Sequence, residues 1–168
     1  SYGHGISISP THLASAVSTA SRNGLRIQPT LLKRQAGDEE IKTRVFSEQT
    51  AQAVRSMMRL VVSHKEGTGK KARATGYMVG GKTGTAEKVQ ANGGYNAKAN
   101  LATFVATFPV HNPRYVIVVM VDEPKGQKQS YGFATGGWVA APAIRRIVEQ
   151  ISPILGVHPV DEESPSIR

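Results

Sequence analysis

The sequence predicts an α+β fold, in which an antiparallel sheet is packed with helices. Apolar residues recur at helical spacing in three segments, near residues 10–22, 47–63 and 139–151. Between the second and third segments the pattern changes to three successive strands with short links, which is typical of an antiparallel meander. At 168 residues the chain is long enough for one domain with its own core.

The first helix is bounded by recognisable signals. Ser9 is a typical N-cap, Pro10 suits the first helical position, and Asn23-Gly24 is a stop signal. Residues 25–32 are then predicted to be extended, followed by a polar loop through residues 38–40.

The remaining elements follow in order. A second helix is predicted from Ser47 to about Ser63, and an irregular loop over residues 66–71 follows it. The three strands are predicted over residues 78–89, 101–108 and 115–122. A glycine-rich loop, residues 131–137, precedes a last helix over residues 139–151. We expect one domain over residues 1–157 and a loosely ordered tail over residues 158–168.

The composition limits the classes of function. The net charge is +9, but the basic residues are scattered along the chain and aromatic residues do not interleave with them. Nucleic-acid binding is therefore not expected. The chain has no cysteine, and its five histidines lack metal-ligand spacing, so we predict no metal and no cofactor. Asp122 and Glu123 are adjacent on a strand and are expected to point to opposite faces. No membrane anchor or signal peptide is recognisable in this chain.

Lys82-Thr83-Gly84-Thr85 belongs to two competing motifs. Residues 76–83 match the phosphate-binding P-loop, G-x-x-x-x-G-K-[ST], which needs a buried strand before it and a helix after it. The residues before Gly76 are basic and polar, and Gly84 is a poor first-turn residue, so the P-loop is disfavoured. We favour a strand in which Lys82 and Gly84 face one way and Thr83 and Thr85 the other. An extended peptide could pair with the free edge of such a strand.

Lys-Thr-Gly-Thr is also the third motif of the serine enzymes that react with penicillin. Its surroundings make the chain resemble the C-terminal part of the transpeptidase domain of class B penicillin-binding proteins, the cell-division type most closely. The likeness runs from Tyr2 to about Pro159. It rests on the order and spacing of Tyr2-Gly3-His4-Gly5, Ser9-Pro10, Asn23-Gly24, Gly76-Tyr77, Gly81 to Lys88, Val121-Asp122-Glu123-Pro124, Tyr131-Gly132 and Ala140-Ala141-Pro142.

The resemblance implies a partial β-lactamase/transpeptidase-like domain and a peptidoglycan D,D-transpeptidase that cross-links stem peptides in septal cell-wall synthesis. Such an enzyme forms an acyl-serine intermediate and releases D-Ala. Lys82 would shape the electrostatics and proton relay around the nucleophile, and the backbone amide of Thr85 would be an oxyanion donor. The hydroxyls of Thr83 and Thr85 would bind the terminal carboxylate of the peptide or of a β-lactam, and Gly84 would leave room for it.

Two motifs of the family are missing at their expected places. No serine has a lysine three positions later; Ser63 has Glu66 there. Ser21-Arg22-Asn23 matches the second motif, Ser-x-Asn, but it lies at the end of the first helix, where Asn23 is interpreted as a cap. We therefore expect the nucleophile to lie upstream in a parent chain, and this chain alone to be inactive.

The resemblance also implies partners and a location. Expected partners are the peptidoglycan stem peptide, β-lactams, the upstream part of the same parent chain and division-machinery proteins. The parent would be anchored in the bacterial inner membrane, with this domain in the periplasm. An unpaired edge of the third strand could pair with a second copy of the chain. The alternatives are a non-catalytic peptide-binding module, a β-lactamase or carboxypeptidase relative, and the disfavoured P-loop NTPase.

Overall fold

The computed structural model describes residues 6–33, 35, 41–90 and 92–164. The described α-helices are α1 (Pro10–Ser21), α2 (Glu48–Ser63) and α3 (Ala140–Ile151), and the strands are β1 (Leu25–Ile27), β2 (Lys42–Arg44), β3 (Gly80–Val89), β4 (Tyr95–Phe108) and β5 (Tyr115–Asp122). Two short 3-10 helices cover Lys70–Ala72 and Lys128–Ser130. This α+β arrangement confirms the predicted fold class. The predictions made for residues 2–5, 38–40 and 165–168 lie outside the described residues.

The helix starts are those that the sequence predicts. Ser9 accepts a hydrogen bond from the backbone N–H of His12, with Pro10 at the first helical position of α1. Ser47 accepts one from the N–H of Thr50 at the start of α2. Each bond satisfies a backbone donor that the helix itself leaves unpaired.

Asn23 is the second residue after α1 and has a left-handed φ of 50°. The N–H of Gly24 bonds back to the carbonyl of Thr19, as in a Schellman turn. Arg55 of α2 donates to the carbonyl of Ser21 and to Oδ1 of Asn23, at 2.8 and 2.7 Å. Ser21-Arg22-Asn23 therefore ends a helix and ties it to α2.

The predicted meander is present, with strand order β3-β4-β5 and antiparallel pairing throughout. Two of its boundaries differ from the predictions. Strand β4 begins at Tyr95 rather than at residue 101, because a ladder needs only backbone groups, and Tyr95, Asn96 and Asn100 pair with β3 without an apolar pattern. Strand β3 begins at Gly80 rather than at Met78, whose φ of 46° is incompatible with a strand.

A second, two-stranded sheet was not predicted. Residues 25–32 were expected to be extended, but only Leu25–Ile27 form a strand, and its partner is Lys42–Arg44. All three residues of β2 are exposed, and two of them are charged. Without an apolar alternation, the sequence carries no signal for this strand.

The core lies between the large sheet and the helices. Phe104 and Phe108 of β4 are fully buried, together with Ile144 and Val148 on one side of α3. Helix α1 also contacts β4 and β5, and α2 contacts β3. The described strand β3 pairs only with β4, so it forms one edge of the sheet.

Asp122 and Glu123 do not point to opposite faces as expected. Both carboxylates bind the ammonium of Lys88, at 2.8 and 3.0 Å. The strand ends at Asp122, and Glu123 has a left-handed φ of 46°, which turns its side chain back beside that of Asp122. These two carboxylates raise the pKa of Lys88 above its ordinary value.

Pro159, Val160 and Glu162 contact the body of the domain, although the sequence predicts a loose tail from residue 158. The N–H of Val160 bonds to the carbonyl of Gly76, and the Glu162 carboxylate pairs with Arg59. The limits of the domain remain a prediction. In the described part of the chain, no helix has the length and apolar character that crossing a membrane requires.

Candidate active site

Strand β3 carries the Lys-Thr-Gly-Thr segment in its interior, opposite residues 102–105 of β4. The strand continues through these residues to Val89, so no helix opens at Lys82-Thr83. A P-loop requires such a helix N-terminus to hold phosphate. The structure therefore excludes the P-loop interpretation of residues 76–83.

Thr83 and Thr85 share one cavity of about 390 Å³ beside β3. They lie two residues apart on the strand and therefore face the same side. The cavity is also lined by residues that the sequence analysis did not single out, which are Gly67, Thr68, Lys70, Lys71, Thr135, Gly137 and Trp138. Two of the predicted binding residues are thus brought together by the fold.

The hydroxyls of Thr83 and Thr85 contact two different loops. Thr83 Oγ1 lies 3.1 Å from Thr68 Oγ1, in the loop after α2. Thr85 Oγ1 accepts a hydrogen bond of 3.2 Å from the N–H of Gly136, in the loop before α3. Because Thr85 Oγ1 already accepts this bond, its own hydroxyl hydrogen remains available to donate to a bound anion.

The loop before α3 approaches the sheet so closely at position 136 that only glycine fits there. A Cβ atom at Gly136 would lie 2.2 Å from the carbonyl oxygen of Thr103 and 2.7 Å from that of Gly84. Both neighbours are backbone atoms, which cannot move aside as a flexible side chain can. The loop backbone therefore packs directly on β3 and β4 next to Thr85.

Lys82 does not line the cavity. Its side chain is exposed, and its ammonium donates a hydrogen bond of 2.9 Å to the carbonyl of Thr83. This agrees with the predicted alternation, in which Lys82 and Thr83 face opposite ways. Ser21 and Asn23 also lie outside the residues that line the cavity.

Trp138, which lines the cavity, contacts further aromatic and basic side chains. The ring of Trp138 stacks on Phe133 at 5.9 Å between centroids and meets the edge of Tyr131 at 5.8 Å. The ammonium of Lys71 lies 4.2 Å from the centroid of Trp138, which is a cation–π contact. Tyr131 is 81% exposed, so much of this aromatic cluster faces solvent.

This arrangement is suited to recognising a carboxylate at the end of an extended peptide. Hydroxyl donors in the cavity can bind the anion, and the cations of Lys70 and Lys71 at its wall favour negative charge. The edge of β3 can pair with the main chain of such a peptide. Sequence reasoning missed Thr68, Gly136 and Trp138 because each lies in a loop, and only the folded chain brings these loops to β3.

Comparisons with known proteins point to one family. Residues 1–149 match the family model described as the penicillin binding protein transpeptidase domain. A probable peptidoglycan D,D-transpeptidase FtsI of Caulobacter vibrioides is 46% identical over 164 residues, which cover 94% of this chain and 28% of that protein. The stage V sporulation protein D of Bacillus subtilis is 37% identical, over 94% of this chain and 25% of the relative. The chain thus spans between a quarter and a third of the length of these relatives.

Solved structures agree in fold. The transpeptidase domain of penicillin-binding protein 3 from Burkholderia pseudomallei, in its apo form, has a TM-score of 0.82 and 39% identity, over 95% of this chain and 46% of that one. Penicillin-binding protein 3 of Mycobacterium tuberculosis, complexed with ampicillin, has a TM-score of 0.83 and 28% identity, over 98% and 39% of the two chains. With the match to the family model, these likenesses show that the chain belongs to the penicillin-binding protein transpeptidase domain family.

Proposed function

We propose that the full-length protein is a serine-type peptidoglycan D,D-transpeptidase that cross-links stem peptides in septal cell-wall synthesis. This chain supplies the wall of the active site that binds the substrate. The observation that carries the proposal is the convergence of the Thr83 and Thr85 side chains on one cavity beside a sheet edge. The names of the relatives, which include a probable peptidoglycan D,D-transpeptidase, support it.

The proposed reaction proceeds through an acyl-enzyme. A serine outside this chain attacks the carbonyl of the D-Ala-D-Ala bond, the terminal D-Ala leaves, and an amine of a neighbouring strand takes the acyl group. The Thr83 and Thr85 hydroxyls bind the terminal carboxylate in the cavity, and Gly84, which faces the other side of β3, leaves room for the substrate beside the strand. The backbone N–H of Thr85 stabilises the oxyanion, and Lys82 acts on the electrostatics and proton relay of the serine.

The proposed function also implies binding partners and a cellular location for the full-length protein. Septal peptidoglycan synthesis implies contacts with division-machinery proteins, and β-lactams are expected to compete with the stem peptide for the site. We propose that the full-length protein is anchored in the inner membrane, with this domain in the periplasm.

Acylation by a labelled penicillin tests the function. The full-length protein should form a covalent adduct that survives denaturation, whereas residues 1–168 alone should not, because they contain no Ser-x-x-Lys motif. In the full-length protein, Thr83→Val and Thr85→Val should each lower the acylation rate by roughly 10- to 100-fold, because each removes a hydrogen-bond donor.

Thr43→Val is the matched control, since Thr43 is an exposed threonine on the separate strand β2. It should leave the rate unchanged. Absence of an adduct with the full-length protein would overturn the proposal. Reversible binding of D-Ala-D-Ala peptides without any adduct would instead support a non-catalytic peptide-binding module.

A further inference from the structure

The end of the described chain folds back onto the turn that leads into β3. The N–H of Val160 donates a hydrogen bond of 2.8 Å to the carbonyl of Gly76. Pro159 lies so close to Gly76 that a Cβ atom there would be 2.8 Å from the Cβ of the proline. Residues 159–162 are therefore packed against Gly76, shortly before the Lys-Thr-Gly-Thr strand begins.

Glu162 is the main anchor of this contact, and its side chain is only 7% exposed. Its Oε1 accepts a hydrogen bond of 3.0 Å from the N–H of Gly76. Its Oε2 accepts bonds from Arg59 and Arg73, at 2.7 and 3.1 Å. A buried carboxylate needs such partners, and losing it would leave the partly buried Arg59 without its counter-ion.

Arg59 extends the same network to the start of β3. Its Nη2 atom binds Glu162, and its Nη1 atom donates a hydrogen bond of 2.9 Å to the carbonyl of Val79. Arg59 thus joins α2, the carboxylate of Glu162 and the last residue before the strand. The side chain of Arg59 is 15% exposed, so this bond is largely shielded from water.

The segment held by this network has an unfavourable backbone. Met78 is a buried residue other than glycine, yet its φ is 46°. A residue with a side chain adopts this conformation only when its surroundings enforce it. The N–H of Gly76 and the carbonyl of Val79, on either side of Met78, are the groups that Glu162 and Arg59 bind.

We propose that residues 159–162 form a latch that holds the turn 76–79 and so fixes the position of β3, with Glu162 as a positioning residue for Thr83 and Thr85. The latch acts at the start of the strand, and Glu162 does not line the cavity that Thr83 and Thr85 share. Its catalytic consequence rests on the proposed transpeptidase function, whereas its effect on β3 does not.

Amide hydrogen exchange and penicillin acylation, both measured on the full-length protein, test the latch. Glu162→Gln should speed exchange at residues 77–85 by about tenfold or more, while α1 and α3 keep their protection. The acylation rate should fall about 10-fold, because a small displacement of binding groups has a large effect on rate. Glu162→Ala should show the same pattern more strongly, since glutamine can still accept a bond from Gly76.

Glu149→Gln is the control, because Glu149 forms an exposed ion pair with Arg145 on α3. It should leave both measurements unchanged. Unchanged exchange at residues 77–85 in Glu162→Gln would overturn the latch, as would an equal rise at α1 and α3, which would indicate a global role. If the unsubstituted protein formed no adduct, the proposed function would fail, and exchange at residues 77–85 would still decide the latch.

Discussion

Two glycines of β3 have different surroundings, although they are only three residues apart. A Cβ atom at Gly81 would lie 2.4 Å from both the ring of Phe104 and the carbonyl oxygen of Val105. At Gly84 the nearest atom would be the Cβ of Thr103, at 3.5 Å, which is an ordinary contact. The first glycine is therefore needed for packing, and the second leaves space beside the strand.

We expect Gly81→Ala to destabilise the protein by about 1–3 kcal/mol, because the methyl group overpacks a rigid backbone. Gly84→Ala should leave the stability unchanged or raise it by up to about 1 kcal/mol, because alanine is less costly to order in a strand than glycine. Urea unfolding of both variants measures the difference. Equal destabilisation would show that the space at Gly84 is not open.

Gly84→Ala should nevertheless impair penicillin acylation in the full-length protein if Gly84 leaves room for the ligand. A stable variant with a normal acylation rate would remove Gly84 from the proposed site. The sequence predicted this glycine as a place of close approach, but it could not separate Gly81 from Gly84. That distinction depends on Phe104 and Val105, which lie more than 20 residues away along the chain.

Among the secondary-structure elements, the sequence predicts the N-termini of helices α1 and α2 best. Ser9 and Ser47 act as caps through their own backbone neighbours, so the signal is contained in a few adjacent residues. Strand β2 shows the opposite case, because its exposed residues carry no periodic pattern. The three strands of the meander lie between these extremes: their existence was predictable, but the start of β4 at Tyr95 was not.

Ser47→Ala should lower the free energy of unfolding by about 1 kcal/mol, because the N–H of Thr50 loses its acceptor. Ser56→Ala is the matched control on the same helix. The Ser56 hydroxyl only bonds back to the carbonyl of Gln52 on an exposed face, so this change should be neutral or slightly stabilising. Thermal or urea unfolding compares the two variants, and a neutral Ser47→Ala would argue against the cap.

At the scale of the whole molecule, both the site and the latch join distant segments. Thr85 meets Gly136 across 51 residues, and Gly76 meets Glu162 across 86. The sequence predicts which residues of β3 carry the chemistry, since they form a compact motif. It does not predict the loops that orient them, because such pairings depend on the packing of the complete fold.

The charge of Glu162 gives the molecule a pH dependence. Burial raises the pKa of this carboxyl, but Arg59, the N–H of Gly76 and Arg73 outweigh burial, so the pKa lies below its ordinary value. A carboxyl with a lowered pKa adds stability above its unfolded pKa, and this stability is lost as the pH falls through its folded pKa. Glu162, Arg59 and Arg73 line one surface cavity, in which the other charged or titratable groups are Arg55, His111 and Glu163.

We therefore expect stability to decrease below about pH 4.5, the ordinary value for a glutamic acid side chain. Urea unfolding of the unsubstituted protein and of Glu162→Gln at a series of pH values from 7 to 3 measures this. The difference between the two should be largest near neutral pH and shrink towards pH 3. Curves that remain parallel over the whole series would contradict this role of Glu162.

Trp138 is placed where its fluorescence can serve as a probe of the cavity. It is the only tryptophan of the 168 residues, and it lines the cavity that Thr83 and Thr85 share. Its ring contacts aromatic neighbours and the ammonium of Lys71, a charge close enough to influence indole emission. The tryptophan fluorescence of this chain therefore originates from a single, known place. A molecule that enters the cavity and displaces Lys71 should therefore change the emission of Trp138, so its binding can be followed without a dye attached to the protein.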